Sequence, residues 1–247
     1  NRIIVHDEAR PYYAELLAIQ TIILFSKETG CPVHICHLSI PEGAQLIKEA
    51  KGRGVNITVE SCPHYYTLNY EDNFNSGTYA LIQPPIRSRE RMEKLWAYLF
   101  DGTIDYLGTD HAPYTQEDKE PPDANYWNVM GGSPSIDVAL PIMADECINK
   151  RGMQITDFVR LTSIKRFGLY PNKGVICTDA DADLVVLNMN NEFTVHRKNS
   201  FSKSKCEKFP YEGRRIGCVV ETTYVRGEKV FEHGKILKNP GFGQYFS

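Results

Sequence analysis

Along the first two thirds of the chain the apolar positions switch repeatedly between a helical and a strand-like period. Between Ala14 and Thr29, residues Leu16, Leu17, Ile19, Ile22, Ile23 and Phe25 recur at helical spacing, and Gly30 stands where a helix would stop. The run Val33 to Leu38 predicts a strand. Ile40-Pro41-Glu42-Gly43 then opens a helix through Ala50, with proline in the first turn, where its missing N–H costs nothing. Val55 to Ser61 predicts the next strand, and an irregular stretch with Pro63, Asn69, Asn73, Asn75 and Gly77 follows. Ser88 to Phe100 reads as an amphipathic helix capped by Ser88, and Ile104 to Thr109 as a third strand. A shorter apolar run, Ile3 to Val5, precedes His6 as the end of an earlier strand would.

Strands and helices alternating at this spacing predict parallel βαβ units, because parallel neighbours need a crossover of about a dozen residues or more. In such sheets the working residues gather at the carboxyl ends of the strands. His37, the segment Ser61 to His64, and Asp110 all fall there. After a polar loop from Thr115 to Ala124, helices are expected over Ile136 to Lys150 and Ile155 to Phe167. From Gly174 the pattern changes to short β runs: Val175-Ile176, Asp183 to Leu187, Glu192 to Val195, Gly217 to Val225 and Lys229 to Glu232. The expected division is therefore residues 1–173 and a small β-rich region over residues 174–247.

Composition narrows the partners. A net charge of −3 gives no general attraction to nucleic acid or to anionic lipid, so a small-molecule substrate is expected. Seven cysteines, an odd number with no CxxC pair, point to reduced thiols and a cytoplasmic location. No apolar run reaches the roughly 20 residues that span a membrane. The chain opens on Asn1 and enters an apolar run at once, which suggests the later portion of a longer polypeptide.

The candidate chemistry sits at the strand ends. In Gly108-Thr109-Asp110-His111-Ala112-Pro113-Tyr114, the Asp110 carboxylate can coordinate a divalent ion or take a proton from a metal-held water; its plainer role is to cap the loop. His37 can supply an imidazole ligand or be a hydrogen-bonded rim residue. His34, three residues earlier, is expected to point to the opposite face of the strand. Cys62 and His64 stand roughly 7 Å apart on extended backbone, too far for a nucleophile and its base, so His64 reads as a residue that orients a ligand or substrate. Gln83-Pro84-Pro85-Ile86-Arg87 is stiffened by two prolines, and Gly131-Gly132-Ser133-Pro134 lets backbone approach a ligand or enter a helix. Neither a GxGxxG nor a Gly-Lys-Ser/Thr phosphate loop occurs.

Together these stretches resemble the cyclic amidohydrolases: dihydroorotases, allantoinases and the hydantoinase or dihydropyrimidinase enzymes. The likeness runs from about Arg10 to Ser247, through HICHLS, ESCPHYYTL, PPIRSRERMEKLW, GTIDYLGTDHAPYTQEDK, GGSPS, FGLYPNKG, DADLVVLN, PYEGR, VRGEKVF and NPGFGQYF. It implies an α/β fold, the C-terminal half of a metal-dependent-hydrolase (β/α)8 barrel of TIM type, with a small β-sandwich appendage. It also implies two zinc ions per complete subunit. On that resemblance His37 matches the histidine ligand from the sixth barrel strand, and Asp110 the aspartate from the eighth, which binds metal and serves as general base. His6 is a further candidate ligand from the strand before. Gln83 falls where relatives place a Ser or Asn that contacts the substrate ring, and Met130, Gly131 and Gly132 fall in the loop whose backbone does the same. The family's His-x-His and its carbamylated lysine are expected upstream, since the chain contains no HxH.

The implied activity is hydrolysis of a cyclic amide or ureide ring, of hydantoinase or allantoinase type, by a zinc-held hydroxide. Tyr114 stands where dihydroorotases carry histidine, which makes dihydroorotase the alternative. A second alternative is a non-enzymatic, dihydropyrimidinase-related interaction protein, which a complete polypeptide purified without stoichiometric zinc would favour. The resemblance further implies a homodimer or homotetramer. Expressed alone, these 247 residues are expected to be inactive and poorly soluble, because half a barrel exposes strand edges and apolar helix faces.

Overall fold

A computed structural model describes residues 3–123, 127–163, 172–204 and 206–245, apart from the side chains of Phe74 and Asn75. By packing, the chain divides into two units, residues 1–140 with 195–214, and residues 141–194 with 215–247.

In the first unit, β1 (Val33–Ile35), β2 (Ile57–Ser61) and β3 (Tyr106–Leu107) form a parallel sheet in the order β1-β2-β3. The register pairs His34 with Thr58, Ile35 with Val59 and Ser61 with Leu107. The crossovers are helical, as the spacing of the strands requires. Between β1 and β2 lies α3 (Pro41–Gly52), with proline in its first turn and Ala44, Ile47 and Ala50 buried on one face. Between β2 and β3 come the short α4 (Pro63–Thr67) and then α5 (Arg89–Phe100). Ser88 caps α5 by accepting the Arg91 amide at 3.3 Å, and Met92, Leu95, Trp96 and Leu99 form its buried stripe. Ahead of β1, α1 (Ile4–Ala9) and α2 (Tyr12–Thr29) are helical; α2 ends at Gly30, whose left-handed φ of 71° directs its amide to the Ser26 carbonyl. The run Ile3 to Val5 thus opens a helix and not the tail of a strand. Three apolar residues cannot distinguish the two periods, and the polar Asp7, Glu8 and Arg10 that follow favour helix here.

Each end of the sheet is fastened by a buried polar group. At the amino ends, Asp105 is 1% exposed; its carboxylate accepts from Lys51 Nζ at 2.5 Å and from the Val59 amide at 2.8 Å. At the carboxyl ends Ser61, fully buried in the middle strand, donates from Oγ to the Leu38 carbonyl at 2.7 Å, while its own carbonyl accepts the Gly108 amide at 3.0 Å. Further along the unit come α6 (Gln116–Lys119), closed by a capping box between Thr115 and Asp118, and the start of α7 (Ile136–Ala144).

The helix expected over Ile136 to Lys150 continues α7 into a π-helical turn, Asp145–Lys150, four residues after Pro141, whose missing N–H interrupts the regular ladder. In the second unit α8 (Ile155–Thr162) follows; the rest of the helix expected to Phe167, and the Phe167–Pro171 motif, lie outside the described residues. Strands β4 (Leu184–Asn188), β7 (Val219–Val225), β8 (Glu228–Glu232) and β9 (Lys235–Ile236) make an antiparallel sheet in the order β4-β7-β8-β9, and β5 (Phe193–Thr194) pairs with β6 (Arg215–Ile216). Val175-Ile176 is not a strand; Ile176 is 90% exposed and has no partner face against which to lie. Among the described residues, no helix is long and apolar enough to cross a membrane.

Ser61→Ala removes the hydroxyl donor and leaves a buried carbonyl unpaired. Urea unfolding is expected to show a loss of ~1–3 kcal/mol; an unchanged midpoint would show that the Leu38 carbonyl finds another donor.

Candidate active site

The two residues singled out at the strand ends share one unusual property. His37 has φ of 41° and Asp110 φ of 43°, left-handed conformations for side chains that carry a Cβ. Such backbone costs about 1–3 kcal/mol per residue and persists only where the surroundings over-determine it. Here they do. Beyond His37, the Leu38 amide donates to the Glu60 carbonyl at 2.9 Å, and its carbonyl is held by Ser61. Around Asp110, Gly108 is held by Ser61, the His111 amide donates to Thr109 Oγ1 at 3.3 Å, and the Ala112 amide to the Ser133 carbonyl at 3.1 Å.

The charge of Asp110 is felt by two thiols near these strand ends, and that of His37 by His64. Burial, followed by the charges of Glu60 and Asp110, pushes the thiols of Cys36 and Cys62 up. Cys62 is therefore a protonated core thiol and no nucleophile at neutral pH. His64 is 1% exposed in α4, and burial, with His37 contributing, lowers its pKa to about 3. Its imidazole is neutral, stacked edge-on against Tyr65 with centroids 4.2 Å apart, and neither ring nitrogen has a hydrogen-bond partner. Nδ1 of His37 is likewise buried without one. Imidazole nitrogens without a hydrogen-bond partner and a carboxylate are donor types that suit a zinc-type ion or a polar ligand. His37 and Gln83 also line a cleft of about 710 Å³ along with Arg10, Glu15, His34 and Cys36.

The proposed ring-contact residues come together across a large sequence separation. A Cβ on Gly131 would lie 2.7 Å from Gln83 Cγ, and one on Gly132, at φ 150°, would lie 2.4 Å from Ala112 Cβ. Only glycine allows this approach. The Gly132 amide donates to the Leu81 carbonyl at 2.9 Å, so the Met130–Gly132 segment is tied to the segment that carries Gln83. His111 turns away to cap α7, its Nδ1 accepting the Ile136 amide at 3.2 Å. His6 lies in α1, 2% exposed, where burial and the cations Arg10, Arg87 and Lys119 lower its pKa to about 4. Arg87 is itself paired with Asp7 and Glu15, while Arg10 and Lys119 add positive charge near that imidazole, which disfavours a divalent ion there.

Two organising residues escape a reading of the sequence. Lys119 falls in a polar run that reads as a solvated loop, yet it is 1% exposed and donates to the carbonyls of Met130 at 2.8 Å, Leu81 at 3.2 Å and Thr78 at 3.4 Å. It therefore clamps the same two segments that Gly132 joins. Arg87, 3% exposed, pairs with Asp7 at 2.5 Å and Glu15 at 2.9 Å and donates to Ser39 Oγ at 3.1 Å, anchoring α1 and α2 to the turn after His37. Its only sequence signal is the stiff Pro84-Pro85 pair ahead of it.

Comparison with known proteins bears on this geometry. The family model described as "Amidohydrolase family" matches residues 6–230. The chain is 35% identical over 240 residues to an allantoinase of Salmonella newport (strain SL254), covering 94% of this chain and 52% of the relative. It superposes on the L-hydantoinase (dihydropyrimidinase) of Arthrobacter aurescens with a TM-score of 0.92 and 33% identity, over 98% of this chain and 54% of the other. A D-hydantoinase (dihydropyrimidinase) from a Thermus species gives 0.90 and 28%, over 97% and 53%. The chain spans about half the length of these relatives.

Two predictions follow from the buried cations and imidazoles. Lys119→Met leaves the Met130 carbonyl without its donor and takes one of two donors from the carbonyls of Leu81 and Thr78, and it is expected to lower the unfolding free energy by ~1–3 kcal/mol, read by urea denaturation. For His6 and His64 the folded pKa lies below the ordinary value of 6.5, so the unfolded chain binds the extra protons. Their stabilisation is complete above pH 6.5 and is lost as pH falls toward 4 and 3, at up to ~1.4 kcal/mol per pH unit for each group. A His64→Phe variant should show a shallower fall in urea midpoint over that window; an identical slope would mean His64 takes no part in it.

Proposed function

The chain belongs to the amidohydrolase family, and on that premise we propose that it supplies the histidine–aspartate half of a metal centre that hydrolyses a cyclic amide or ureide. The observation that carries the proposal is the pair of left-handed residues, His37 and Asp110, held on either side of Ser61 at the carboxyl ends of parallel strands. In this reading β1, β2 and β3 are the sixth to eighth strands of a (β/α)8 barrel, and the antiparallel strands from β4 onward belong to a small sandwich domain.

His37 and Asp110 would hold zinc, and His6 is left out of the set because of its cationic surroundings. Two protein ligands are fewer than the three a catalytic zinc site keeps, so other groups complete the centre. When bound, the metal would lower the pKa of a water toward neutrality and polarise the ring carbonyl. Asp110 takes a proton from the attacking water on its carboxylate and returns it to the ring nitrogen as the C–N bond breaks. The products are a carboxylate and a released ureido or amide nitrogen. Gln83 and the backbone of Met130–Gly132 bind the polar edge of the ring, positioned by Lys119, while neutral His64 orients the ligand through a ring nitrogen. The relatives' names give allantoin-like and hydantoin-like rings as the substrate class to try first.

Asp110→Asn in the full polypeptide is expected to lower ring opening of hydantoin and allantoin by about 10²–10⁴-fold. Chelation should abolish the activity and zinc should restore it. Full activity in Asp110→Asn would refute the assignment, and a full polypeptide that binds no zinc and opens no ring would point to the interaction-protein alternative.

A further inference from the structure

A second group of metal-ligating side chains lies back along β1 from His37. His34, Cys36 and Glu60 each present one ligand atom, and these three atoms lie within 4.8 Å of one another. The grouping follows from strand geometry. His34 and Cys36 are two residues apart and project to one side of the chain, as do Thr58 and Glu60 on the neighbouring strand, and the register sets His34 opposite Thr58. Nε2 of His34 is 3.6 Å from a Glu60 oxygen, close to the ligand-to-ligand edge expected when nitrogen and oxygen each sit about 2.0–2.2 Å from one tetrahedral ion.

Two features fit an ion better than a plain ion pair. Nδ1 of His34 is bonded to Thr58 Oγ1 at 2.8 Å, which fixes the ring and leaves Nε2 as the nitrogen turned toward Glu60. Metal-binding histidines are commonly oriented through the other ring nitrogen in this way. Glu60 in turn occupies space that any side chain at residue 108 would fill, since a Cβ on Gly108 would lie 2.9 Å from its carboxylate. The missing side chain makes the cradle.

We propose that His34, Cys36 and Glu60 form a further divalent-cation site, of imidazole, thiolate and carboxylate ligands, separate from the one that uses His37 and Asp110. A sulphur, nitrogen and oxygen set selects a borderline-to-soft ion of the zinc and cadmium type over magnesium or calcium. With three protein ligands the site keeps a fourth position for water or another side chain. The inference is independent of ring opening.

The test uses the full polypeptide, stripped of metal by chelation and titrated with cadmium ion alone, while the ultraviolet thiolate-to-metal absorption is followed. The expected result is a band that saturates at a single thiolate-bound cadmium per chain, disappears in Cys36→Ala and survives in Asp110→Asn. His34→Gln and Glu60→Gln should each weaken cadmium binding at least about tenfold, and Thr58→Val, which removes only the orienting hydroxyl, by about 10–100-fold. No band in the unaltered protein, a band undiminished by Cys36→Ala, or one abolished by Asp110→Asn would overturn the proposal. If Cys36→Ala fails to fold by circular dichroism, Thr58→Val decides, and unchanged cadmium affinity in that variant overturns it. Ring opening, read separately, depends on Asp110 and not on this band, so the two readings fail independently.

Discussion

Ser61 holds the working end of the sheet together. It sits in the middle strand, fully buried, and its hydroxyl and carbonyl reach the segments on both sides, Leu38 beyond β1 and Gly108 beyond β3. Because those segments carry His37 and Asp110, one residue fixes the positions of both. It also makes the left-handed backbone at each affordable, since strained φ values survive only where hydrogen bonds on either side leave no alternative. A threonine would add a methyl to a fully packed position, and an alanine would strand a carbonyl.

Around that staple, buried cations do what a hydrophobic core cannot. Lys119 and Arg87 are each almost completely enclosed and spend their donors on named acceptors: three carbonyls for Lys119; Asp7, Glu15, Ser39 and the Arg10 carbonyl for Arg87. Apolar packing is non-directional and tolerates small slips, whereas a guanidinium or ammonium with several acceptors fixes the direction as well as the distance of each contact. Lys119 fixes the Met130–Gly132 segment to the one that carries Gln83 in this way. The burial that makes these cations effective also lowers the pKa of Lys119 to about 8.

Polar nitrogens without partners mark the places where the chain is not self-sufficient. His64 and His37 carry unspent ring nitrogens in a buried setting, where each unpaired group costs free energy in the chain by itself. Packing gives no reason to leave them unpaired, and imidazole nitrogen is a donor type that a ligand, an ion or a water can use. These nitrogens lie within the residues that the amidohydrolase family model matches.

Much of this was legible in the sequence. The periodicities of α2, α3 and α5, the cap at Ser88, the stop at Gly30 and the placing of His37 and Asp110 at strand ends all follow from local physics, because amphipathic period, capping and turn chemistry act within about four residues. The glycine pair at 131–132 could be seen as a close-approach signal, though not what it approaches. Tertiary structure alone decided the rest. The contact of Gly131 with Gln83, the burial of Lys119 in a run that reads as solvated loop, and Arg87 reaching Asp7 and Glu15 join residues 38 to 80 positions apart in all but the Lys119–Met130 bond, which spans 11 positions. The helix Ile4–Ala9 is not legible in the sequence for a related reason: three apolar residues fit both periods, and only packing chooses between them. Local chemistry marks the candidate residues; which of them share a site depends on long-range contacts that no short window of sequence contains.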